Sequence, residues 1–78
     1  MALFRWYLGK ALLENGEIDE ALPHLAESVS IEPENAKYRH TLGLAKCVTG
    51  DEAGAREDLL EAALLDEEDA EDRYQLRM

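Results

Sequence analysis

His40 and Cys47 are residue types that can form a nucleophile–base pair or share a metal ion. Both fall within one predicted helix, seven positions apart. Seven residues of α-helix rise about 10 Å, which is too far for a hydrogen bond between the side chains or for two ligands of one ion. Cys47 is therefore interpreted as a small packing or groove residue and not as a reactive thiol.

The acidic run DEEDAED, from Asp66 to Asp72, could suggest a calcium site. It lacks the Gly and the spaced ligands of an EF-hand loop, and adjacent acids on a helix mostly point apart. Its charges suit the beginning of a helix, where the dipole favours acids. The sequence also has no phosphate-binding glycine loop and no catalytic-triad pattern. We therefore expect no catalytic residue, metal or cofactor, and predict that the protein is not an enzyme.

Composition narrows the class of protein and of partner. The chain has 78 residues, which is enough for one domain, and its single cysteine cannot form an internal disulfide. Its net charge of −10, from 18 acidic and 8 basic residues, disfavours a nucleic acid or an anionic membrane surface as partner. We expect a protein or peptide partner with basic or apolar character.

The sequence predicts a cytoplasmic location. No apolar run reaches the roughly 18 residues of a membrane span, and the single cysteine fits a reducing compartment. The first thirteen residues contain no acid and are amphipathic, as a transit peptide would be. The same residues are also needed for the first helix of the fold.

A repeat of 34 residues organises the chain. The segments YLGKALLENG, beginning at Tyr7, and TLGLAKCVTG, beginning at Thr41, share Leu, Gly, Ala and Gly at matching positions. Further identical pairs at this offset are Ala2 and Ala36, Arg5 and Arg39, Ala21 and Ala55, Leu25 and Leu59, and Glu27 and Glu61. A repeat of this length is typical of stacked supersecondary units.

Each unit has the periodicity of two helices. Apolar residues recur at three- and four-residue steps, and Gly16 is placed to end the first helix in a left-handed conformation. The segment EPEN, from Glu32 to Asn35, predicts a turn into the next unit, because Pro33 cannot continue a helix. Small residues at Gly9 and Ala21 predict a close approach of the paired helices, as do their counterparts in the second unit.

These residues resemble the tetratricopeptide repeat (TPR) family. The matching positions are Leu8, Gly9, Leu12, Gly16, Ala21, Leu25, Ser28 and Pro33, then Leu42, Gly43, Gly50, Ala55, Leu59 and Ala62. The resemblance implies an all-α fold of antiparallel helix-turn-helix repeats, stacked as a short right-handed solenoid. The single domain, residues 1–78, would comprise one repeat at 2–35, a second at 36–69, and at 70–78 a capping helix or the first helix of an incomplete third unit.

The chain departs from the family pattern at several positions, among them Glu67, where proline is usual. Arg5 and Arg39 stand where the family has a large aromatic residue, and Lys46 replaces the apolar residue that corresponds to Leu12. Pro23 falls inside the second helix, where it predicts a late-starting or slightly bent helix. Lys and Asn residues that in one TPR subclass clamp a peptide carboxylate are mostly missing, so no such clamp is expected.

One face of the first helices is too apolar to be an ordinary solvated surface. The resemblance implies that this face lies on the concave side of the solenoid, with a row of rings from Trp6, His40 and Tyr74. Such a trough would accept an extended peptide or an amphipathic helix. The predicted binding groove consists of Trp6, Lys10, Leu13, Lys37, His40, Leu44, Cys47 and Tyr74. The alternative is that Trp6, Leu13 and Leu44 pack against a neighbouring unit, another part of a larger protein or a second copy of this chain.

The leading functional hypothesis is a non-enzymatic protein-interaction module, an adaptor or scaffold that binds a peptide or partner helix on this face. The alternative is a structural self-association unit that forms a homo-oligomer. A third possibility is that the chain is a fragment of a larger TPR protein.

Overall fold

The chain folds into four α-helices joined by short turns. A computed structural model describes the backbone of residues 1–76 and the side chains of residues 1–66. The helices are α1 (Ala2–Glu14), α2 (Ile18–Ile31), α3 (Ala36–Val48) and α4 (Glu52–Leu76), and the described backbone contains no strand. Each helix packs chiefly on its neighbours in sequence, α1 with α2, α2 with α3, and α3 with α4. The predicted all-α helical repeat is confirmed.

In each hairpin a single glycine ends the first helix, and both glycines do so in the same way. Gly16 and Gly50 have φ values of 83° and 89°, in the left-handed region that favours glycine. The Gly16 amide donates to the Leu13 carbonyl and the next amide reaches back to Leu12, which is the Schellman arrangement. The Gly50 amide and the amide after it make the same pair of bonds, to the carbonyls of Cys47 and Lys46. Both hairpin corners therefore follow directly from glycines that the repeat places 34 residues apart.

The paired helices approach closely where the sequence carries small residues. A Cβ atom added to Gly9 would lie 2.7 Å from Leu25 Cγ, and one added to Gly43 would lie 2.9 Å from Leu59 Cγ. In both cases the next obstacle is a backbone carbonyl, 3.3 Å away, of the buried Ala21 or its equivalent in the second hairpin. The predicted close approach is confirmed in both units.

The turn between the two hairpins also agrees with its sequence. Residues 32–35 are non-helical, and Asn35 caps α3 by accepting a hydrogen bond of 3.2 Å from the Tyr38 amide to its Oδ1. Asp51 caps α4 in the same way, through the Gly54 amide at 3.1 Å. Both second-unit helices thus begin with a side-chain cap.

The bounds of α2 and α4 bear on two of the sequence predictions. α2 begins at Ile18 and continues through Pro23, so a late start is ruled out. The Pro23 nitrogen carries no hydrogen, which leaves the Asp19 carbonyl without its usual partner, but the ring is exposed. α4 is one helix across the unit boundary placed at residues 69 and 70, where a separate helix had been expected. The second unit has Glu67 where the first has Pro33, so no proline stops α4 there.

Candidate partner-binding surface

Trp6 lies at the junction between α1 and α3 and is only 4% exposed. Its Nε1 donates a 3.0 Å hydrogen bond to Thr41 Oγ1, and this hydroxyl donates to the Lys37 carbonyl at 2.9 Å. The indole also packs on Tyr38, with ring centroids 5.7 Å apart. Trp6 therefore ties the first unit to the second, which corresponds to the packing alternative for this residue. Leu13 is half-buried against the same core.

Two predicted groove lysines flank the indole. Lys10 Nζ and Lys37 Nζ each lie 5.1 Å from the centroid of the Trp6 ring, within the range of a cation–π contact. Lys10 Nζ also lies 3.9 Å from Glu14 Oε1 on the same helix. Both lysine side chains remain accessible at the junction of the two units.

The part of the predicted groove that stays open lies on α3. His40, Leu44 and Cys47 are all exposed, at the three- and four-residue spacing that places side chains on one helix face. Leu44 is 43% exposed, and Val48 beside it is more exposed still. The Cys47 thiol is free and accessible. The side chain of Tyr74, the last predicted groove residue, lies outside the described residues.

A groove between α3 and α4 adjoins this strip. We call it the α3–α4 groove, and it is lined by Ala36, Lys37, His40, Leu59, Ala62, Ala63 and Asp66. A second depression lies under Cys47 and reaches Leu59 and Leu60. The α4 residues Leu59, Leu60 and Ala63 were not among the predicted site residues. The 34-residue offset could have found Leu59 and Ala63, since it relates them to Leu25 and Val29 of the first unit.

A buried ionic cluster supports α3 behind this strip. Asp58 is 6% exposed as a whole residue, and its Oδ2 lies 2.7 Å from Lys46 Nζ. Arg39 Nη1 lies 3.5 Å from the other carboxylate oxygen, and Arg39 Nη2 donates to the Pro33 carbonyl at 3.2 Å. Lys46, which replaces an apolar family residue, is thus ion-paired with an acid on the opposite helix.

The first unit carries a related contact at the equivalent positions. Arg5 and His24 stand 34 residues before Arg39 and Asp58, and Arg5 Nη1 donates to His24 Nδ1 at 3.2 Å. Arg5 Nη1 also lies 3.7 Å from Glu27 Oε2. The arginines at the family's aromatic position therefore cross from the first helix to the second in both hairpins.

Tyr38 has a perturbed ionisation. Burial raises the pKa of its phenol above the ordinary value of 10.0, and the negative charge of Glu32 and the nearby phenol of Tyr7 raise it further. The side chain packs beside Trp6 in the core, so it remains neutral over the ordinary pH range. It therefore acts as an apolar packing residue in this structure.

An unpaired apolar surface lies at the opposite end of the stack, on α1. We call it the α1 outer face, defined by Phe4, Tyr7, Leu8 and Ala11, all exposed. No acid occurs before Glu14, and the helix contains Arg5 and Lys10. The hydrophobic residues on this face are too closely grouped to be scattered surface residues.

Within residues 1–66 no group of three or more His, Cys, Asp or Glu side chains is placed to hold a metal ion. No helix in the described part of the chain is long and apolar enough to cross a membrane. Three surface features of the described residues could bind a partner: the exposed strip of His40, Leu44 and Cys47 on α3, the α3–α4 groove and the α1 outer face.

The architecture defines a class, namely an all-α protein built from helical hairpins related by a 34-residue repeat. No protein-family model matches the chain. A TPR repeat-containing protein of Pseudomonas aeruginosa is 39% identical over 56 residues, which cover 72% of this chain. The match covers 53% of that relative, so the chain spans about half its length. Together with the helical hairpins, this relative confirms the predicted resemblance to TPR repeat proteins.

Proposed function

We propose that the protein is a non-enzymatic protein-interaction module that binds a peptide segment or partner helix on the first-helix face of its second unit. The observation that carries the proposal is the strip of His40, Leu44 and Cys47, which stays exposed beside the α3–α4 groove. A TPR-named relative supports the general class, because repeat proteins of this kind present extended surfaces to other proteins.

The chemistry of the surface favours an amphipathic partner. Leu44 and Val48 offer apolar area, and Leu59 and Ala63 extend it across the groove. Lys37 and Asp66 stand at its edge and can pair with charges of either sign. A helix with an apolar stripe suits such a groove, since its residues at three- and four-residue steps would face the leucines.

Cys47 provides a direct test because it is exposed and is the only cysteine of the chain. A photoreactive label on Cys47 is expected to crosslink discrete proteins in a native lysate. The control is a Cys47→Ala, Ala26→Cys chain with the same label on the exposed surface of α2. Leu44→Glu, at an exposed position, should abolish the Cys47 crosslinks without changing helical content.

Identical crosslinks from both label positions, or none from Cys47, would refute the proposed surface. Two other functions remain as alternatives: a self-association unit, and one part of a longer TPR protein. Self-association is favoured by a comparison of the α1 outer face with the α3–α4 groove at the other end of the stack.

A further inference from the structure

We infer that the partner of the α3–α4 groove is the α1 outer face of a second copy of this chain, so that copies stack head to tail. The inference rests on the proposed function, because it names the helix that the groove accepts. It is carried by the repeat offset, which relates each end of the stack to the interface already present between α3 and the first unit.

The α1 outer face matches the buried face of α3 residue by residue. Phe4, Tyr7, Leu8 and Ala11 stand 34 positions before Tyr38, Thr41, Leu42 and Ala45. The α3 residues are all buried at the junction with the first unit, whereas the α1 residues are all exposed. Phe4 is 66% exposed against 4% for Tyr38, and Tyr7 is 57% against 8% for Thr41. α1 therefore presents the docking face of a first helix with nothing packed on it.

The α3–α4 groove matches the seat that α3 occupies. Its residues His40, Leu59 and Ala63 stand 34 positions after Trp6, Leu25 and Val29. These three residues of the first unit belong to the core cluster that contains Tyr38, Leu42 and Ala45. Their counterparts in the second unit are exposed or only half-buried. The groove is therefore a copy of an occupied helix seat, left open.

Charge favours a second copy as the occupant. The seat is bordered by Asp66, which begins an acidic run of six acids among the seven residues from 66 to 72. α1 has no acid in its first turn and no side-chain cap at its N-terminus, so its positive dipole end is unopposed. By the repeat offset, a docked α1 would begin beside Asp66, as α3 begins beside Glu32. The negative charge at the border of the groove would thus lie next to the positive N-terminal end of the docked α1.

The two faces belong to different ends of the molecule, so the contact is heterologous and does not close on itself in a dimer. Each added copy buries one outer face and one groove, and leaves one of each free. Because every stack keeps one free surface of each kind, association should grow with protein concentration.

The chain's own residues 70–76 are less suited to occupy the groove, because Asp72 and Gln75 stand where α3 has Tyr38 and Thr41.

Two complementary substitutions test this geometry. Phe4→Glu changes the outer face and Ala63→Glu changes the groove, and both sites are exposed, so each variant should fold with unchanged circular dichroism. We expect the wild-type chain to increase in mass between 5 µM and 500 µM, roughly, by light scattering, and each variant alone to remain a monomer. A mixture of the two variants keeps one intact outer face and one intact groove, so it should form a 1:1 dimer that does not grow.

The control is Ala26→Glu on the exposed surface of α2, which should associate as the wild type does. A wild-type chain that stays monomeric over the whole range overturns the inference, and so does an equimolar mixture that remains two monomers. A dimer of Phe4→Glu alone would also overturn it, since it would require an isologous interface. If the wild type is monomeric but labelled Cys47 still crosslinks other proteins, self-stacking fails while the proposed function stands.

Discussion

The ionic cluster around Asp58 offers the sharpest test of how the second hairpin is held together. We expect Asp58→Asn to lower the free energy of unfolding by about 2 kcal/mol. The substitution keeps the size of the side chain but removes the charge that faces Lys46 and Arg39 at 2.7 and 3.5 Å. Two cations would then share a site with no counterion.

The magnitude follows from the exposure of the three groups. Removing one member of a fully buried ion pair costs about 3 to 5 kcal/mol, and an exposed pair contributes about 0 to 1 kcal/mol. The Asp58 side chain is 9% exposed, whereas those of Lys46 and Arg39 are 30% and 23% exposed. The cations can therefore recover part of their hydration, which places the cost between the two limits.

Urea unfolding followed by circular dichroism measures the change, and a loss of about 2 kcal/mol lowers the Tm of a domain this size by about 8 to 16 °C. The matched control is Glu14→Gln, which removes the acid of the exposed pair with Lys10 and should cost less than about 0.5 kcal/mol. Combining Asp58→Asn with Lys46→Leu should recover about 1 kcal/mol or more, because it removes the unpaired ammonium. If Asp58→Asn costs no more than Glu14→Gln, or if Lys46→Leu gives no recovery, the reasoning fails.

Three further predictions concern the core. Gly9→Ala should destabilise the fold by about 1 to 3 kcal/mol in urea unfolding, because its Cβ would clash with Leu25, and this outweighs a helix-propensity gain of about 1 kcal/mol. In a chain that already carries Leu25→Ala, the Gly9→Ala substitution should be nearly neutral. If the two substitutions show no such coupling, the close packing is contradicted. Trp6→Ala should cost about 3 to 5 kcal/mol and reduce helical content. Thr41→Val, which removes the hydroxyl that accepts from Trp6 and donates to the Lys37 carbonyl, should cost only about 1 kcal/mol. A folded, fully helical Trp6→Ala chain would show that the indole is a binding group. Because the pKa of Tyr38 is raised from 10.0, the folded state keeps a proton that the unfolded chain loses at alkaline pH. The contribution of Tyr38 to the free energy of unfolding is therefore fully present below pH 10 and falls as the pH rises above it. Tyr38→Phe should reduce this fall in urea titrations, and an unchanged dependence of the unfolding free energy on alkaline pH would refute the burial effect.

The hairpins could be predicted because their signals are local. Gly16 and Gly50 stop helices through backbone conformation alone, and Pro33 with Asn35 marks a turn whichever way the units stack. The close approach at Gly9 could also be predicted locally, because the helix that packs on Gly9 is the one that the short turn places beside it. The continuity of α4 past residue 69 was missed because the period was extended to a third unit, although Glu67 there gives no proline signal.

The candidate surface was harder to predict because it depends on how one hairpin leans on the next. The 3.6-residue period identifies one face of α1, but it does not say whether Trp6 on that face meets solvent or Thr41. His40 at the equivalent position is exposed, because the next helix seat is open. Equivalent positions thus have different environments at the inside and at the end of the stack. The pairing of Lys46 with Asp58 was also invisible, since it joins residues on different helices.

The hairpin corners have a consequence for stereochemistry. Gly16 and Gly50 take a conformation that L-residues rarely adopt, yet no atom lies within 4 Å of where their Cβ would stand. A D-amino acid prefers this same region of backbone space, so it would adopt the conformation of these corners without backbone strain. Mirror-image alanine at either corner would also restrict the conformations of the unfolded chain. The obstacle to ordinary side chains at these corners is thus one of chirality and not of room.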